Sequence, residues 1–291
     1  MNQSFAQKIA NYLSLIKFSH TVFALPFAFI GFALAIFKDH YKFEPRLLLL
    51  MLMCMVFARS AAMGFNRWID RRFDALNPRT ANREIPAGII QPGRALAFVI
   101  ISSILFVTTT WFINPLCFYL SFVALFVILF YSYTKRFTAL CHLVLGLGLS
   151  LAPIGAYLSV SGTFDIIPVL FSLLVLTWVS GFDIIYALQD ESFDRSQNLY
   201  SIPAMLGTKN ALNVSNLLHI GSGILVILAG ILGHFNLIYW AGAGIYISML
   251  VYQHLLVKPN DLSKVNIAFI NTNSIASICF AIFTILSLIF Q

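Results

Sequence analysis

Residues 116–133 read LCFYLSFVALFVILFYSY, a run of eighteen residues without a charged side chain. At 1.5 Å per residue, a helix of about this length covers most of the roughly 30 Å hydrocarbon core of a bilayer. The run therefore predicts a membrane-spanning helix.

Similar apolar runs lie on both sides of it, and together they predict about nine spans. The predicted spans are Phe18–Phe37, Leu47–Phe65, Ala95–Ile113, Leu116–Tyr133, Thr138–Val160, Ile166–Leu188, Val214–Leu232, Leu237–Val257 and Ile267–Phe290. The composition agrees, with 59% hydrophobic and 10% charged residues and a mean hydropathy of +0.86. A membrane barrel would instead show short alternating segments. We predict an all-α integral membrane protein with a single domain over residues 1–291.

The charges are distributed unevenly between the two sides of the membrane. With nine spans and a cytoplasmic N-terminus, fourteen lysines and arginines lie on the cytoplasmic side and three on the other, with Arg59 inside a span. This asymmetry is typical of insertion by the positive-inside rule, and with anionic lipid it accounts for the net charge of +7. It requires no nucleic acid, and no soluble protein partner is implied. The first seventeen residues contain no arginine and only two serines, so they do not resemble a mitochondrial transit peptide. We therefore expect a bacterial plasma membrane protein.

Two long polar connections, residues 66–94 and 189–213, lie on the predicted cytoplasmic face and resemble caps over a site. Each begins with an acidic cluster that follows an even-numbered span, and each contains proline and glycine further on. The parallel predicts a duplication in which spans one to four and five to eight are related, with a ninth added.

The acidic clusters carry the chemistry. Asn66, Asp70 and Asp74 step by about 40° around a helix and share one face, as Asp183, Tyr186, Asp190 and Asp194 nearly do. Paired carboxylates at helix ends suit Mg²⁺ bridged by a diphosphate. The competing interpretation is a solvated helix end, with the acids paired to Arg67, Arg71 and Arg72.

Other polar residues lie near these clusters in the sequence. Tyr131 and Lys135 are four residues apart at the end of span four, and Arg79 and Arg83 follow the first cluster. Lysine and arginine are natural phosphate partners, although basic residues here also fit membrane anchoring. Arg59 and His20 are candidates for an acceptor pocket. The histidines at 142, 219, 234 and 254 form no metal-ligand spacing, and the four cysteines have no paired spacing.

These motifs resemble the UbiA superfamily of intramembrane prenyltransferases along nearly the whole chain. The resemblance places the first aspartate motif at Asn66, Asp70 and Asp74, followed by the Arg-Thr-x-x-Arg stretch at 79–83. The second motif matches Asp183, Tyr186, Asp190 and Asp194, and the tyrosine-lysine motif matches Tyr131 and Lys135, followed by Arg136 and Thr138.

The resemblance implies transfer of a polyprenyl group from its diphosphate to an aromatic ring carbon. It implies Mg²⁺ bound by Asp70, Asp74, Asp190 and Asp194, and diphosphate bound by Asn66, Arg79, Arg83, Tyr131, Lys135 and Tyr186. Catalytic roles fall to Asp70, Asp190, Lys135 and Asp183, of which Asp183 either takes the ring proton or orients the acceptor hydroxyl.

The acceptor stays open between two aromatic acids. Asn66 is followed by Arg67, where 4-hydroxybenzoate enzymes usually have aspartate after the asparagine. Span one opens with residues 19–26, SHTVFALP, where many of those enzymes have arginine and proline. The pattern favours 4-hydroxybenzoate, as in ubiquinone synthesis, over the 1,4-dihydroxy-6-naphthoate of the futalosine route to menaquinone. A protohaem or chlorophyll-type transferase shares the diphosphate chemistry. A secondary transporter is the alternative of another class, but its acids should lie near the bilayer midplane.

Overall fold

The computed structural model describes residues 4–290, apart from the side chains at positions 5, 8, 18, 19 and 20. This part of the chain is helical and has no β-strand. Its helices are α1 (Phe5–Leu15), α2 (Leu25–Ala33), α3 (Pro45–Ile69), α4 (Arg71–Leu76), α5 (Pro92–Trp111), α6 (Pro115–Thr134), α7 (Cys141–Ser161), α8 (Ile166–Ala187), α9 (Glu191–Ser196), α10 (Ile202–Leu232), α11 (Leu237–Leu256), α12 (Val265–Ile267) and α13 (Asn273–Ile289). Helical turns of 3₁₀ type cover Phe18–Phe23 and Leu188–Asp190, and π turns cover Leu34–Lys38 and Ala268–Thr272.

Eight helical stretches in the described residues are long and apolar enough to cross a membrane. They are Thr21–Lys38, Pro45–Ile69, Pro92–Trp111, Pro115–Thr134, Cys141–Ser161, Ile166–Ser196, Ile202–Leu232 and Val265–Ile289. The remaining predicted span forms α11, whose 20 residues include Gln253 and His254 and are therefore less apolar. The prediction of an all-α membrane protein is confirmed, and the count of about nine is approximate.

The described residues group into two compact units. The first contains the described residues up to Thr21 together with Leu49–Tyr133, and the second contains Val22–Leu48 together with the described residues from Thr134 onward. In the first unit, Leu15 of α1 packs in a small core with Ile85, Ile90 and Ala95. This core connects α1 to the segment between α4 and α5.

The second unit is built around α8. Its residues pack against both α7 and α10, and Trp178 and Phe171 are completely buried. Close helix packing in lipid depends on small residues. At Gly146 of α7, an added Cβ would lie 2.5 Å from the carbonyl oxygen of Leu176. The long apolar run of α8 therefore meets protein on several sides.

The two polar connections contain more helix than the sequence predicts. The first includes α4 and the second includes α9, each six residues long. The second also contains the first turns of α10, which is broken at Gly207, where φ is 77° and ψ is 163°. Gly88 in the first connection likewise has a positive φ of 72°. A left-handed backbone of this kind favours glycine.

Candidate active site

Both aspartate motifs cross a break in the helix at their middle aspartate. Asp70 separates α3 from α4 with φ −88° and ψ 1°. Asp190 precedes α9 with φ −106° and ψ 4°. The helical spacing of the motif residues predicts a continuous face through each motif, and neither break is marked by glycine or proline. A helix break followed by a six-residue helix occurs at both motifs, which supports the predicted internal duplication.

In the first motif, neighbouring side chains hold the carboxylates. Asn66 Nδ2 donates a hydrogen bond to Asp70 Oδ2 over 3.1 Å, as expected for residues on one helical face. Asp74 is buried and its Oδ1 pairs with Arg83 Nη1 at 2.6 Å. Its Oδ2 is also buried and has no hydrogen-bond partner among the described residues. Within the described residues, one oxygen of this acid is thus left without a hydrogen bond.

The second motif repeats this feature with a lysine. Asp194 is buried, and its Oδ1 lies 3.6 Å from Lys135 Nζ without a hydrogen-bond partner in residues 4–290. The main chain holds the same region together. Leu199 N–H donates to the Asp194 carbonyl over 2.8 Å, and Tyr200 N–H donates to the Lys135 carbonyl over 2.7 Å. The segment 194–200 is therefore hydrogen-bonded through its main chain to Lys135.

These acids fit a hard divalent cation. A buried carboxylate oxygen without a hydrogen bond costs folding free energy. A cation that takes this oxygen as a ligand removes that cost. Within the described residues, no three histidine, cysteine or acidic side chains come together as a possible cage for a metal ion. Mg²⁺ commonly takes only one or two carboxylates and completes its shell with water and phosphate. Each of the two buried aspartates, taken within its own unit, thus suits Mg²⁺ bound together with a diphosphate.

Asp183 has a partner that the sequence interpretation overlooked. His142 Nδ1 lies 2.7 Å from Asp183 Oδ2, and the histidine is buried. The two residues are 41 positions apart, so no local spacing connects them. The only sequence signal is a charged residue and a histidine inside apolar runs, each of which needs a partner in the membrane.

The predicted diphosphate-binding residues have varied surroundings. Tyr186 stacks on Phe269, with ring centroids 4.1 Å apart. Arg79 is exposed and Tyr131 is partly buried. Arg83 already pairs with Asp74. Their roles in binding diphosphate stay predictions.

Of the two acceptor-pocket candidates, Arg59 and His20, the structure describes the side chain of Arg59 alone. Arg59 Nη2 donates to the carbonyl oxygens of Ile16 and Lys17, at 3.2 and 2.7 Å. A cation at the carboxyl end of α1 is favourable because these carbonyls carry the negative end of the helix dipole. Arg59 therefore has a structural contact in addition to its predicted role. The side chain of His20 lies outside the part that the structure describes.

Fold and site together define a polytopic helical membrane protein with two aspartate motifs at helix ends. A family model described as the UbiA prenyltransferase family matches residues 24–275, and the chain belongs to this family. The chain is 31% identical to a 4-hydroxybenzoate octaprenyltransferase of Tolumonas auensis over 235 residues, 80% of this chain and 82% of the relative.

Solved structures show the same fold. The apo structure of a UbiA homolog from Aeropyrum pernix K1 superposes with a TM-score of 0.83 at 31% identity, covering 92% of this chain and 97% of that one. A UbiA homolog from Archaeoglobus fulgidus, solved bound to GPP and Mg²⁺, gives a TM-score of 0.75 at 20% identity, covering 96% and 99%.

Proposed function

We propose that this protein transfers a polyprenyl group from polyprenyl diphosphate to a ring carbon of an aromatic acid, in a reaction that requires Mg²⁺ and releases diphosphate. The observation that carries the proposal is the pair of matching motifs, each with a buried aspartate oxygen that has no hydrogen bond to the described part of the chain. The name of the Tolumonas auensis relative supports 4-hydroxybenzoate as the acceptor.

Bound Mg²⁺ would stabilise the negative charge that develops on the leaving diphosphate. Asp70, Asp74, Asp190 and Asp194 are the proposed ligands. Asn66 orients Asp70 through its 3.1 Å hydrogen bond. The metal-bound Archaeoglobus fulgidus homolog supports a divalent metal in this fold.

Cationic side chains would stabilise the same negative charge on the leaving diphosphate. Lys135 is one third exposed, so its ammonium group is accessible to a ligand, and we assign it to the diphosphate with Arg79 and Arg83. Tyr131 and Tyr186 are proposed to complete the binding site. The C1–O bond of the prenyl diphosphate breaks and its electron pair leaves with the diphosphate. A ring carbon then attacks C1, and the ring gives up its proton to restore aromaticity.

We further propose that the protein lies in a bacterial plasma membrane with its N-terminus and both motifs in the cytoplasm. The excess of lysine and arginine on that side supports this orientation. It would bring a soluble acceptor and a lipid-borne donor to the same face of the membrane.

The test is prenyl transfer by the purified protein in nanodiscs. Radiolabelled polyprenyl diphosphate and Mg²⁺ are incubated with 4-hydroxybenzoate or with 1,4-dihydroxy-6-naphthoate, and label is followed into the lipid product. We expect product with 4-hydroxybenzoate. Product only with the naphthoate would move the protein to menaquinone synthesis, and none with either acceptor would contradict the proposal.

The matched control replaces an acid outside the motifs. Asp261 is exposed, and its Oδ1 accepts hydrogen bonds from Ser263, which an asparagine can also accept. Asp194→Asn should abolish transfer, whereas Asp261→Asn should leave it unchanged. Equal effects of the two variants would argue against a specific role for the motif.

A further inference from the structure

His142 connects three helices through its imidazole ring. It is the second residue of α7, and its Nδ1 lies 2.7 Å from Asp183 Oδ2 in α8. Its Nε2 accepts a hydrogen bond from the main-chain N–H of Ile202 over 3.3 Å, at the first residue of α10. Both ring nitrogens are therefore in use.

These two contacts fix the protonation of the ring. A main-chain N–H can only donate, so Nε2 must present its lone pair and carries no proton. The proton of the neutral ring is then on Nδ1 and is donated to Asp183. A doubly protonated ring would place two N–H groups against each other at Ile202. The hydrogen-bond geometry therefore matches an imidazole that donates from Nδ1 to Asp183 and accepts at Nε2 from Ile202.

The carboxylate is more accessible than the ring behind it. The side chain of Asp183 is 23% exposed and that of His142 is 4% exposed. From Trp178 to Ile185, every residue except Asp183 is buried. Asp183 Oδ1 makes no hydrogen bond to other described residues, whereas Oδ2 is bound to His142. His142 thus holds one oxygen of the carboxylate in place, and the Asp183 side chain as a whole is partly exposed.

We propose that His142 is a positioning residue that orients Asp183 for the aromatic acceptor, an inference that rests on the proposed function. After C1 bonds to the ring carbon, that carbon releases its proton to Asp183 Oδ1, and the C–H electron pair restores the aromatic ring. His142 keeps its own proton on Nδ1 and acts only through Asp183. Neither the spacing of the histidines in the sequence nor a local motif assigns His142 a role.

Replacement of the ring tests the positioning role. His142→Phe should lower kcat by about 10- to 100-fold, the range for partners that orient a reacting group, with KM for the prenyl diphosphate unchanged. His142→Gln should restore most of the rate, because its amide can donate to Asp183 and accept from Ile202. Loss in both variants, or in neither, would overturn the proposal.

A matched control separates orientation from general packing. His219 is another buried histidine of the same unit, bonded through Nδ1 to His254 Nε2 at 2.9 Å. His219→Phe should lower thermal stability with little change in kcat per folded molecule. In an Asp183→Asn background, His142→Phe should cause almost no further loss of rate. Independent, multiplying losses would show that His142 does not act through Asp183.

A spectroscopic measurement tests the hydrogen-bonding arrangement of the His142 ring without relying on enzyme activity. In protein carrying ¹⁵N-labelled histidine in nanodiscs, the His142 resonances should show a protonated Nδ1 and an unprotonated Nε2 at neutral pH. Asp183→Asn should shift the Nδ1 signal. A doubly protonated ring would overturn the inference. Wild-type protein without transferase activity would instead defeat the proposed function, so the two failures are distinguishable.

Discussion

At the scale of single residues, the site is defined by buried aspartates that have only some of their oxygens hydrogen-bonded to the described residues. Asp74 keeps one oxygen paired with Arg83, while its second is buried without a hydrogen bond to the described residues. The Oδ1 of Asp194 lies 3.6 Å from Lys135 Nζ and has no hydrogen-bond partner among the described residues, although the side chain also hydrogen-bonds with Ser201. Binding sites often leave such groups for the ligand, at a cost in stability.

Lys135→Gln should reduce transfer by about 10²- to 10³-fold, the usual effect of removing one group that stabilises developing charge. The control is Arg195→Gln, which removes a cation within α9. Arg195 pairs with Glu191 at 3.0 Å and is 54% exposed, and exposed pairs contribute little. Rates are measured at saturating donor. A similar loss in both variants would indicate a general effect of charge.

At the scale of helices, breaks and glycines shape the ends that carry the motifs. The first motif leaves α3 at Asp70, and the second leaves α8 through the 3₁₀ turn Leu188–Asp190. Each then continues in a six-residue helix. In the second connection, the break at Gly207 comes one residue before Thr208, whose Oγ1 donates to Glu191 Oε2 at 2.6 Å. The turn thus places the start of α10 against α9.

Gly207→Ala should destabilise the protein by about 1–3 kcal/mol, because its φ of 77° and ψ of 163° lie in a region that residues with a Cβ rarely adopt. Gly244→Ala is the matched control, since an added Cβ in α11 meets no atom within 4 Å. It should be neutral or slightly stabilising. Thermal unfolding in detergent measures both. An unchanged melting temperature for Gly207→Ala would contradict the strain argument.

At the scale of the whole molecule, ligands should stabilise the folded chain. Mg²⁺ with inorganic diphosphate at 100 times its dissociation constant should add about 2.7 kcal/mol to the free energy of unfolding. EDTA should remove the gain, as should Asp74→Asn or Asp194→Asn. Melting temperature is followed against ligand concentration, with Asp261→Asn as the control. Full stabilisation in the motif variants would argue against these aspartates as ligands.

Topology is testable by labelling with a membrane-impermeant maleimide. Ser196→Cys and Asn82→Cys are at exposed positions of the two connections and should react in inverted vesicles but not in intact spheroplasts. Lys42→Cys, on the predicted outer side, should show the reverse. The four native cysteines are buried or partly buried, so the unsubstituted chain gives the background. Reversed labelling would invert the proposed orientation.

The sequence by itself determined the membrane class, the approximate number of spans, and the two aspartate motifs. These features depend on local composition and helical spacing, and about 20 apolar residues in a row have few other structures available to them. The Asn66–Asp70 contact follows from the same periodicity. The positive φ at Gly88 and Gly207 likewise agrees with their place in turns.

Only the tertiary structure decided which distant residues became partners. His142 and Asp183 are 41 residues apart, and Arg59 contacts carbonyls 42 and 43 residues away. The burial of Asp74 and Asp194, and the helix breaks at Asp70 and Asp190, also depend on packing rather than on local preference. A pattern of residue types reports which face a side chain occupies. What that face meets is set by long-range packing, which no local spacing encodes.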